Sequence, residues 1–289
     1  MPHVVSRPCA PFYGTTGAIE VHQIPSAQDN LIWLAVCTQT GEAAAVDGPE
    51  AGSVIEYCRT NKIRLTTIIN THTHPDHIGI NLDLKRRHLL RSMRVVGPAS
   101  RSADIPGITE QVREGSRFQI GDAKGQVWLT EGHLNGHVSY IIDGVVFCGD
   151  TMFGAGCGRM FDGPAEKMHA SLQRLATLPP ETKVCCAHEY TQDNLRFAWS
   201  IERDNPALAQ RIQGVWAIRR MGGSTVPSTI GEERATNPFL RVNEPTIRWA
   251  ITEAFPDVDP ENKVALFAAL RAWKDQGDYR AMPDDVLPL

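Results

Sequence analysis

The sequence predicts an α/β domain followed by a smaller, mostly helical domain. Over the first two-thirds of the chain, short runs rich in β-branched residues alternate with glycine-containing turns and helical patterns. From about residue 195 the strand patterns fade and helical stretches take over. We therefore expect an N-terminal extension, an α/β domain and a helical domain at residues 1–18, 19–195 and 196–289.

The predicted strands are short apolar runs bounded by turn residues. They lie at residues 31–37, 43–46, 65–69, 94–96, 126–130, 138–142, 145–148 and 183–187. The predicted helices have apolar residues at intervals of three and four. They cover residues 49–60, 165–178, 196–220 with an interruption at Pro206, and 260–275, and a loop rich in Gly, Ser and Pro covers 222–231. Such alternation indicates a layered domain whose functional loops follow the strand ends.

The composition indicates a soluble globular protein, with 42% hydrophobic and 21% charged residues in 289. A net charge of −4 argues against a general nucleic-acid or anionic-membrane binder, although it allows a local basic patch for a small anionic substrate. No apolar run approaches the ~20 residues that span a bilayer, and residues 1–17 show no targeting pattern. Seven cysteines without a CxxC pair suggest reduced thiols and a cytoplasmic location.

The motif THTHPDH, directly after the predicted strand 65–69, places His72, His74, Asp76 and His77 within six positions. Imidazole and carboxylate are ligands that suit zinc and, to a degree, iron or manganese. Alternate residues of an extended turn point the same way, so His72 and His74 can share one ion while Asp76 and His77 turn towards a second. A polar loop of exposed histidines is the simpler interpretation, but this density of ligand types after a buried strand favours a metal site.

Three further ligand-type residues lie at strand ends. His137 precedes the strand 138–142, Asp150 follows the strand 145–148, and His188 follows the strand 183–187. Sites in α/β folds gather at such ends. Together with the motif, the set has five histidines and two aspartates, the number needed for two ions with three terminal ligands each and one bridging carboxylate.

The motifs THTHPDH, GH, FCGDT and CAHEYT together resemble the metallo-β-lactamase superfamily. The longer runs GDTMFGAGCGRMFDGPAEKMHASL and LPPETKVCCAHEYTQDNLRFA closely resemble its glyoxalase II, or hydroxyacylglutathione hydrolase, family. NPFLRV and LRAWKD resemble that family's C-terminal domain. The resemblance extends over nearly the whole chain from about Ile19, which leaves only the N-terminal extension unmatched.

The resemblance implies a four-layer αββα sandwich with a metal-binding catalytic site at its edge, and a helical domain that completes the substrate pocket. It implies two divalent ions, zinc or else iron or manganese. One ion would bind His72, His74 and His137, the other would bind Asp76, His77 and His188, and Asp150 would bridge them. His133, four residues before His137, is expected to support the site without being a ligand. A metal-bridging hydroxide, with Asp76 and Asp150 beside it, would attack the thioester of S-D-lactoylglutathione.

The resemblance also implies substrate-binding residues. Arg159 and Tyr190 would contact the peptide part of glutathione, and Phe161 stands where some relatives have tyrosine. Arg271 and Lys274, at i and i+3 of the last helix, share one face and would hold the glycine carboxylate. The expected aromatic residue after them is displaced to Tyr279. The partner would be a small-molecule glutathione thioester, with no nucleic acid or membrane, and the chain would be a monomer or a weak homo-oligomer.

Other functions remain open on the residues alone. A mononuclear-iron persulfide dioxygenase would keep His72, His74, His137 and Asp150 without needing His188 or the helical tail. A thioesterase could act on a different acyl thiol. A metal-binding scaffold with a degraded site is disfavoured because every ligand position is filled, and a nuclease would want a basic groove. Asp47 is expected to support the site or to cap the following turn, and four other histidines are expected at the surface: His3, His22, His88 and His169.

Overall fold

Two β-sheets pack face to face in the computed structural model, which describes residues 3–289. The seven strands of the first sheet follow chain order: Phe12–Tyr13 (β1), Ile19–Ser26 (β2), Asn30–Cys37 (β3), Glu42–Val46 (β4), Arg64–Ile69 (β5), Arg94–Pro98 (β6) and Glu110–Val112 (β7). The pairs β1-β2, β2-β3 and β3-β4 are antiparallel, and the pairs β4-β5, β5-β6 and β6-β7 are parallel.

The remaining strands are Arg117–Ile120 (β8), Ala123–Leu129 (β9), Val138–Ile142 (β10), Val145–Gly149 (β11), Met152–Phe153 (β12), Gly156–Cys157 (β13), Lys183–Cys186 (β14) and Ser228–Thr229 (β15). The second sheet has the order β15-β14-β11-β10-β9-β8, with β11 and β14 parallel, while β12 and β13 pair separately. The helices are Gly52–Asn61 (α1), Pro75–Arg86 (α2), Ala165–Leu175 (α3), Thr191–Ile201 (α4), Pro206–Arg220 (α5), Ile230–Thr236 (α6), Pro245–Ala254 (α7) and Lys263–Gln276 (α8).

Alternation along β3 assigns its residues to two cores. Trp33 and Ala35 face the second sheet, whereas Ile32 and Leu34 pack with the helices α1 and α2 on the outside. The indole of Trp33 also donates a hydrogen bond of 2.8 Å to the carbonyl of Cys186, which ties the two sheets together. The predicted αββα sandwich is confirmed, because helices cover the outer faces of two packed sheets.

The structure differs from the sequence-based expectations in several places, among them β15 and the start of α6, which lie within the predicted loop 222–231. The motif after β5 was expected as an extended turn, but Pro75 starts the helix α2 there, a position that proline favours. Pro206 separates two helices, since Asn205 caps α5 with hydrogen bonds to the first helical N–H groups. His22, expected at the surface, is buried in β2, where its Nδ1 lies 3.0 Å from the hydroxyl of Tyr57.

Short strands from outside the predicted catalytic domain join the two sheets. β1 pairs with β2, and β15 pairs with β14. The domain boundaries at residues 18 and 195 remain a prediction. Within residues 3–289, no helix is both long and apolar enough to cross a membrane.

Candidate metal centre and substrate cavity

The predicted ligands converge where neighbouring strands end. His72 follows β5, Asp150 follows β11 and His188 follows β14, so the two facing sheets deliver side chains to one edge. Gly149 allows the side chains of Thr71 and His137 to lie close to the backbone at the end of β11. Its φ is +49°, and a Cβ there would lie 2.3 Å from Oγ1 of Thr71 and 2.8 Å from Nε2 of His137.

Four side chains form the first candidate ligand group: His72, His74, His133 and Asp150. Nδ1 of His74 lies 3.1 Å from Nε2 of His72 and 2.9 Å from Nε2 of His133. Nε2 of His133 lies 3.4 Å from Oδ2 of Asp150. Three imidazole nitrogens and a carboxylate oxygen therefore face one point.

The second candidate group contains Asp76, His77 and His188. Oδ2 of Asp76 lies 3.5 Å from Nε2 of His77 and 3.3 Å from Nε2 of His188. Oδ1 of Asp150 lies 3.4 Å and 3.5 Å from the same two nitrogens. Asp150 thus presents one oxygen to each group, as a bridging carboxylate would.

The outward ring nitrogens are held by neighbouring groups. Nδ1 of His188 donates to Asp29 at 2.8 Å, and Nδ1 of His133 donates to the carbonyl of Arg159 at 2.8 Å. Nδ1 of His77 lies 3.0 Å from Oδ2 of Asp47. Such contacts fix the ring orientation and leave the Nε2 lone pair free to bind a metal.

Asp47 contacts the loop that carries the candidate ligands. Its carboxylate accepts hydrogen bonds from the backbone N–H and the hydroxyl of Thr71, at 2.8 and 2.7 Å. The same carboxylate is close to His72 and His77. Because its oxygens already accept these hydrogen bonds, Asp47 orients the ligand loop.

The candidate groups in the structure differ from the predicted ligand set at one member. His133 lies in the first group, whereas the predicted His137 does not. Nε2 of His137 accepts a hydrogen bond of 3.2 Å from the backbone N–H of Asp150, so its lone pair is already used. Its Nδ1 lies 3.2 Å from the hydroxyls of Thr130 and Thr151. His137 supports the loop that carries Asp150.

The electrostatics of the site fit divalent cations. Burial lowers the pKa of His72 well below its usual value, which keeps its ring neutral for ligation. Burial also lowers the pKa of His188, but Asp150, Asp29 and Asp76 outweigh it and raise that pKa to about 10, so their field favours a cation. Among residues 3–289, buried Oδ1 of Asp150 and Nε2 of His77 have no hydrogen-bond partner. A cation between them would satisfy both atoms.

A cavity of about 630 Å³ opens from the cluster towards α8. All five predicted substrate-binding residues line it: Arg159, Phe161, Tyr190, Arg271 and Lys274. The ring of Tyr190 stacks on that of His188, with centroids 4.8 Å apart and planes 2° apart. Phe161 is 61% exposed at the rim, edge-on to the rings of His74 and His133.

Two buried cations lie in the cavity wall away from the cluster. Arg271 is 3% exposed and donates to the carbonyl of Cys157 at 3.1 Å and to Asp275 at 2.8 Å. Lys274 is 7% exposed and hydrogen-bonded to Asn194. Burial lowers the pKa of Lys274 to about 7, despite the attraction of Asp193, whose carboxylate lies 3.6 Å away.

Several cavity residues escaped the sequence analysis. Asp193 accepts from the hydroxyl of Tyr279 at 2.6 Å and from Nε of Arg280 at 2.9 Å, so the displaced aromatic residue and a further arginine join the wall. The run YTQDN follows His188 directly and contains the start of α4. It could therefore have indicated that Asp193 lies near the cluster. His3, expected at the surface, also lines the cavity, and its position depends on contacts distant in sequence.

Comparison with known proteins shows the family to which the chain is similar. Residues 47–188 match the metallo-beta-lactamase superfamily, and residues 189–277 match the family described as hydroxyacylglutathione hydrolase C-terminus. A hydroxyacylglutathione hydrolase from Methylococcus capsulatus is 46% identical over 259 residues, covering 89% of this chain and 98% of the relative. One from Photobacterium profundum is 43% identical, covering 89% and 99%.

The chain belongs to the hydroxyacylglutathione hydrolase family. Solved structures show the wider fold. BLEG-1 B3 metallo-beta-lactamase has a TM-score of 0.56 at 23% identity, covering 76% of this chain and 99% of that one. ETHE1 from Myxococcus xanthus has a TM-score of 0.56 at 22% identity, covering 91% and 98%. This chain thus has the sandwich of the superfamily, followed by a region that matches the C-terminal part of the hydroxyacylglutathione hydrolase family.

Proposed function

We propose that this protein hydrolyses the thioester of 2-hydroxyacylglutathiones, with S-D-lactoylglutathione as its substrate, to glutathione and the 2-hydroxy acid. The observation that carries the proposal is one cavity that joins the histidine and aspartate cluster to two buried cations, Arg271 and Lys274. Its curated relatives, matched over 98–100% of their length, are named hydroxyacylglutathione hydrolase.

The ligand assignment is part of the proposal. His72, His74 and His133 would hold one divalent ion, Asp76, His77 and His188 the other, and Asp150 would contact both. This assignment rests on the two groups of facing donor atoms and on the hydrogen bond that occupies His137. Such ions supply Lewis acidity, which polarises a thioester carbonyl and makes water a stronger nucleophile at neutral pH.

The chain's own residues would orient the reactants. Asn30 donates a hydrogen bond of 3.1 Å to Oδ2 of Asp76, which fixes the carboxylate that faces the thioester. Burial opposes ionisation of Asp76, but hydrogen bonds from His188 and Asn30 and the charge of His77 hold its pKa below the usual value. The departing glutathione thiol has an ordinary pKa of ~8.5, so the thiolate leaves without a dedicated general acid.

The two cations would fix the far end of the substrate. The glycine carboxylate of glutathione would pair with Arg271 and Lys274, while Arg159 and Tyr190 would contact the peptide nearer the cluster and Phe161 would cover the rim. A carboxylate that enters this dry wall recovers its lost hydration through charge-assisted hydrogen bonds. Peptide recognition of this kind distinguishes a glutathione thioester from other acyl thiols.

We further propose zinc as the ion, with iron or manganese also compatible with these ligands.

We propose that the protein is a monomer or weak homo-oligomer in the cytoplasm, with no nucleic-acid or membrane partner. The net charge of −4 supports the absence of such partners, and the seven free cysteines support the location. Residues 19–195 would be the catalytic domain and residues 196–289 the substrate-binding domain.

The test compares two thioesters that share the D-lactoyl group, one of glutathione and one of N-acetylcysteamine, which lacks the peptide. We expect fast hydrolysis of the first and a loss of kcat/KM of about a hundredfold or more for the second, because two charge-assisted contacts are missing. Equal rates on both would refute glutathione recognition. Metal-loaded protein that cleaves neither would refute the proposed reaction.

A further inference from the structure

His3 lies in the wall of the catalytic cavity, although the resemblance to the family begins only at about Ile19. Its Nδ1 donates a hydrogen bond of 3.0 Å to the carbonyl of Glu189. Its ring stands edge-on to Tyr190, with centroids 5.2 Å apart and planes at 76°. Asp29, which holds His188, lies beside it in the same wall.

The segment after His3 is anchored to the loop that follows α5. The backbone N–H groups of Ser6 and Arg7 both donate to the carbonyl of Gly222, at 3.0 Å each. The N–H of Ser224 donates to the carbonyl of Arg7 at 3.1 Å, and the side chain of Val5 is buried in the core. These contacts set the position from which His3 reaches the cavity.

The tautomer of His3 follows from its hydrogen bond. A backbone carbonyl only accepts, so Nδ1 carries the proton and Nε2 of the neutral ring is an acceptor. No group within residues 3–289 forms a hydrogen bond with Nε2. Because His3 lines the cavity, a ligand bound there could donate a hydrogen bond to this nitrogen.

We propose that His3 contacts the substrate and that its Nε2 accepts a hydrogen bond from the 2-hydroxyl of the acyl group. This inference rests on the proposed function, in which the thioester lies over the cluster. The 2-hydroxyl is the donor closest to the thioester carbonyl, and His3 lies at the Asp29 and Tyr190 side of that cluster. His3 would thus select hydroxyacyl over plain acyl groups.

The test measures kcat/KM for S-D-lactoylglutathione and for S-propionylglutathione, which differs only in lacking the 2-hydroxyl. We expect His3→Ala to lower the value for the lactoyl substrate about two- to tenfold, the effect of one hydrogen bond, and to leave the propionyl value unchanged. Equal loss on both substrates, or no loss on either, overturns the role of His3 while the proposed function stands. Wild-type protein that hydrolyses neither overturns both.

His3→Asn separates substrate contact from support of Glu189. The asparagine amide retains a donor at the position of Nδ1 but has no counterpart of Nε2. We expect His3→Asn to lose selectivity as His3→Ala does, and recovery of wild-type selectivity would contradict the proposal. Val4→Ala, at an exposed side chain on the same segment, is the matched control and should keep wild-type selectivity.

Discussion

The backbone N–H of Asp150 donates a hydrogen bond of 3.2 Å to Nε2 of His137. This contact supports our proposal that His133, and not His137 four residues later, is a metal ligand. His137 binds the backbone of the loop that carries Asp150. His133 belongs to the first candidate ligand group with His72 and His74.

The first prediction contrasts these two histidines. His133→Ala should lower bound metal from two ions to about one per chain and reduce kcat by a hundredfold or more, because a ligand is lost. His137→Gln should keep two ions and lose about ten- to a hundredfold in metal affinity, the usual effect of a supporting partner. Metal analysis after dialysis checks both, and loss of one ion in the His137 variant alone would reverse the assignment.

The second prediction concerns Asp29, which accepts the Nδ1–H of His188. Asp29→Asn keeps the shape but removes the charge, so His188 becomes a weaker ligand. We expect a ten- to a hundredfold higher dissociation constant for one of the two ions, measured by competition with a chelator. Asp278→Asn, at a carboxylate outside the cavity lining, is the matched control. Unchanged affinity in Asp29→Asn would contradict the supporting role.

The third prediction is a pH dependence of KM. Because the pKa of Lys274 is lowered to about 7, the free protein carries a charged lysine below pH 7 and a neutral one above it. KM for the glutathione thioester should therefore stay flat below pH 7 and rise towards tenfold per pH unit above it. Lys274→Met should have a high KM without that rise. A wild-type KM that falls between pH 7 and 9 would contradict the role of Lys274.

The fourth prediction tests the close approach at Gly149. Gly149→Ala places a methyl group against Thr71 and His137 at a φ of +49°, and should lower the free energy of unfolding by about 3 kcal/mol. Gly115→Ala has a φ of +73° but no atom within 4 Å, so only the backbone cost of about 1 kcal/mol applies. Urea denaturation of both variants checks the difference. Equal losses would show that Gly149 is not sterically required.

Local patterns were enough to predict the sandwich. They also indicate six of the seven residues that we propose as ligands, and that assignment stays a prediction. Strand ends and the motif THTHPDH carry that information in neighbouring positions. Local patterns do not distinguish His133 from His137, because both are buried, at 4% and 0% exposure, and only the three-dimensional position of Asp150 separates them. The positions of His3 and Asp29 in the cavity wall depend on hydrogen bonds to residues 186 and 159 positions away in the sequence. No local pattern indicates such contacts.

The most direct test of the central claim is to titrate metal-depleted protein with zinc while following the hydrolysis of S-D-lactoylglutathione. Two candidate ligand groups lie on either side of Asp150, so we expect activity to increase until two equivalents per chain are bound. Full activity at one equivalent would contradict the two-ion site, and absence of hydrolysis with two ions bound would contradict the reaction itself.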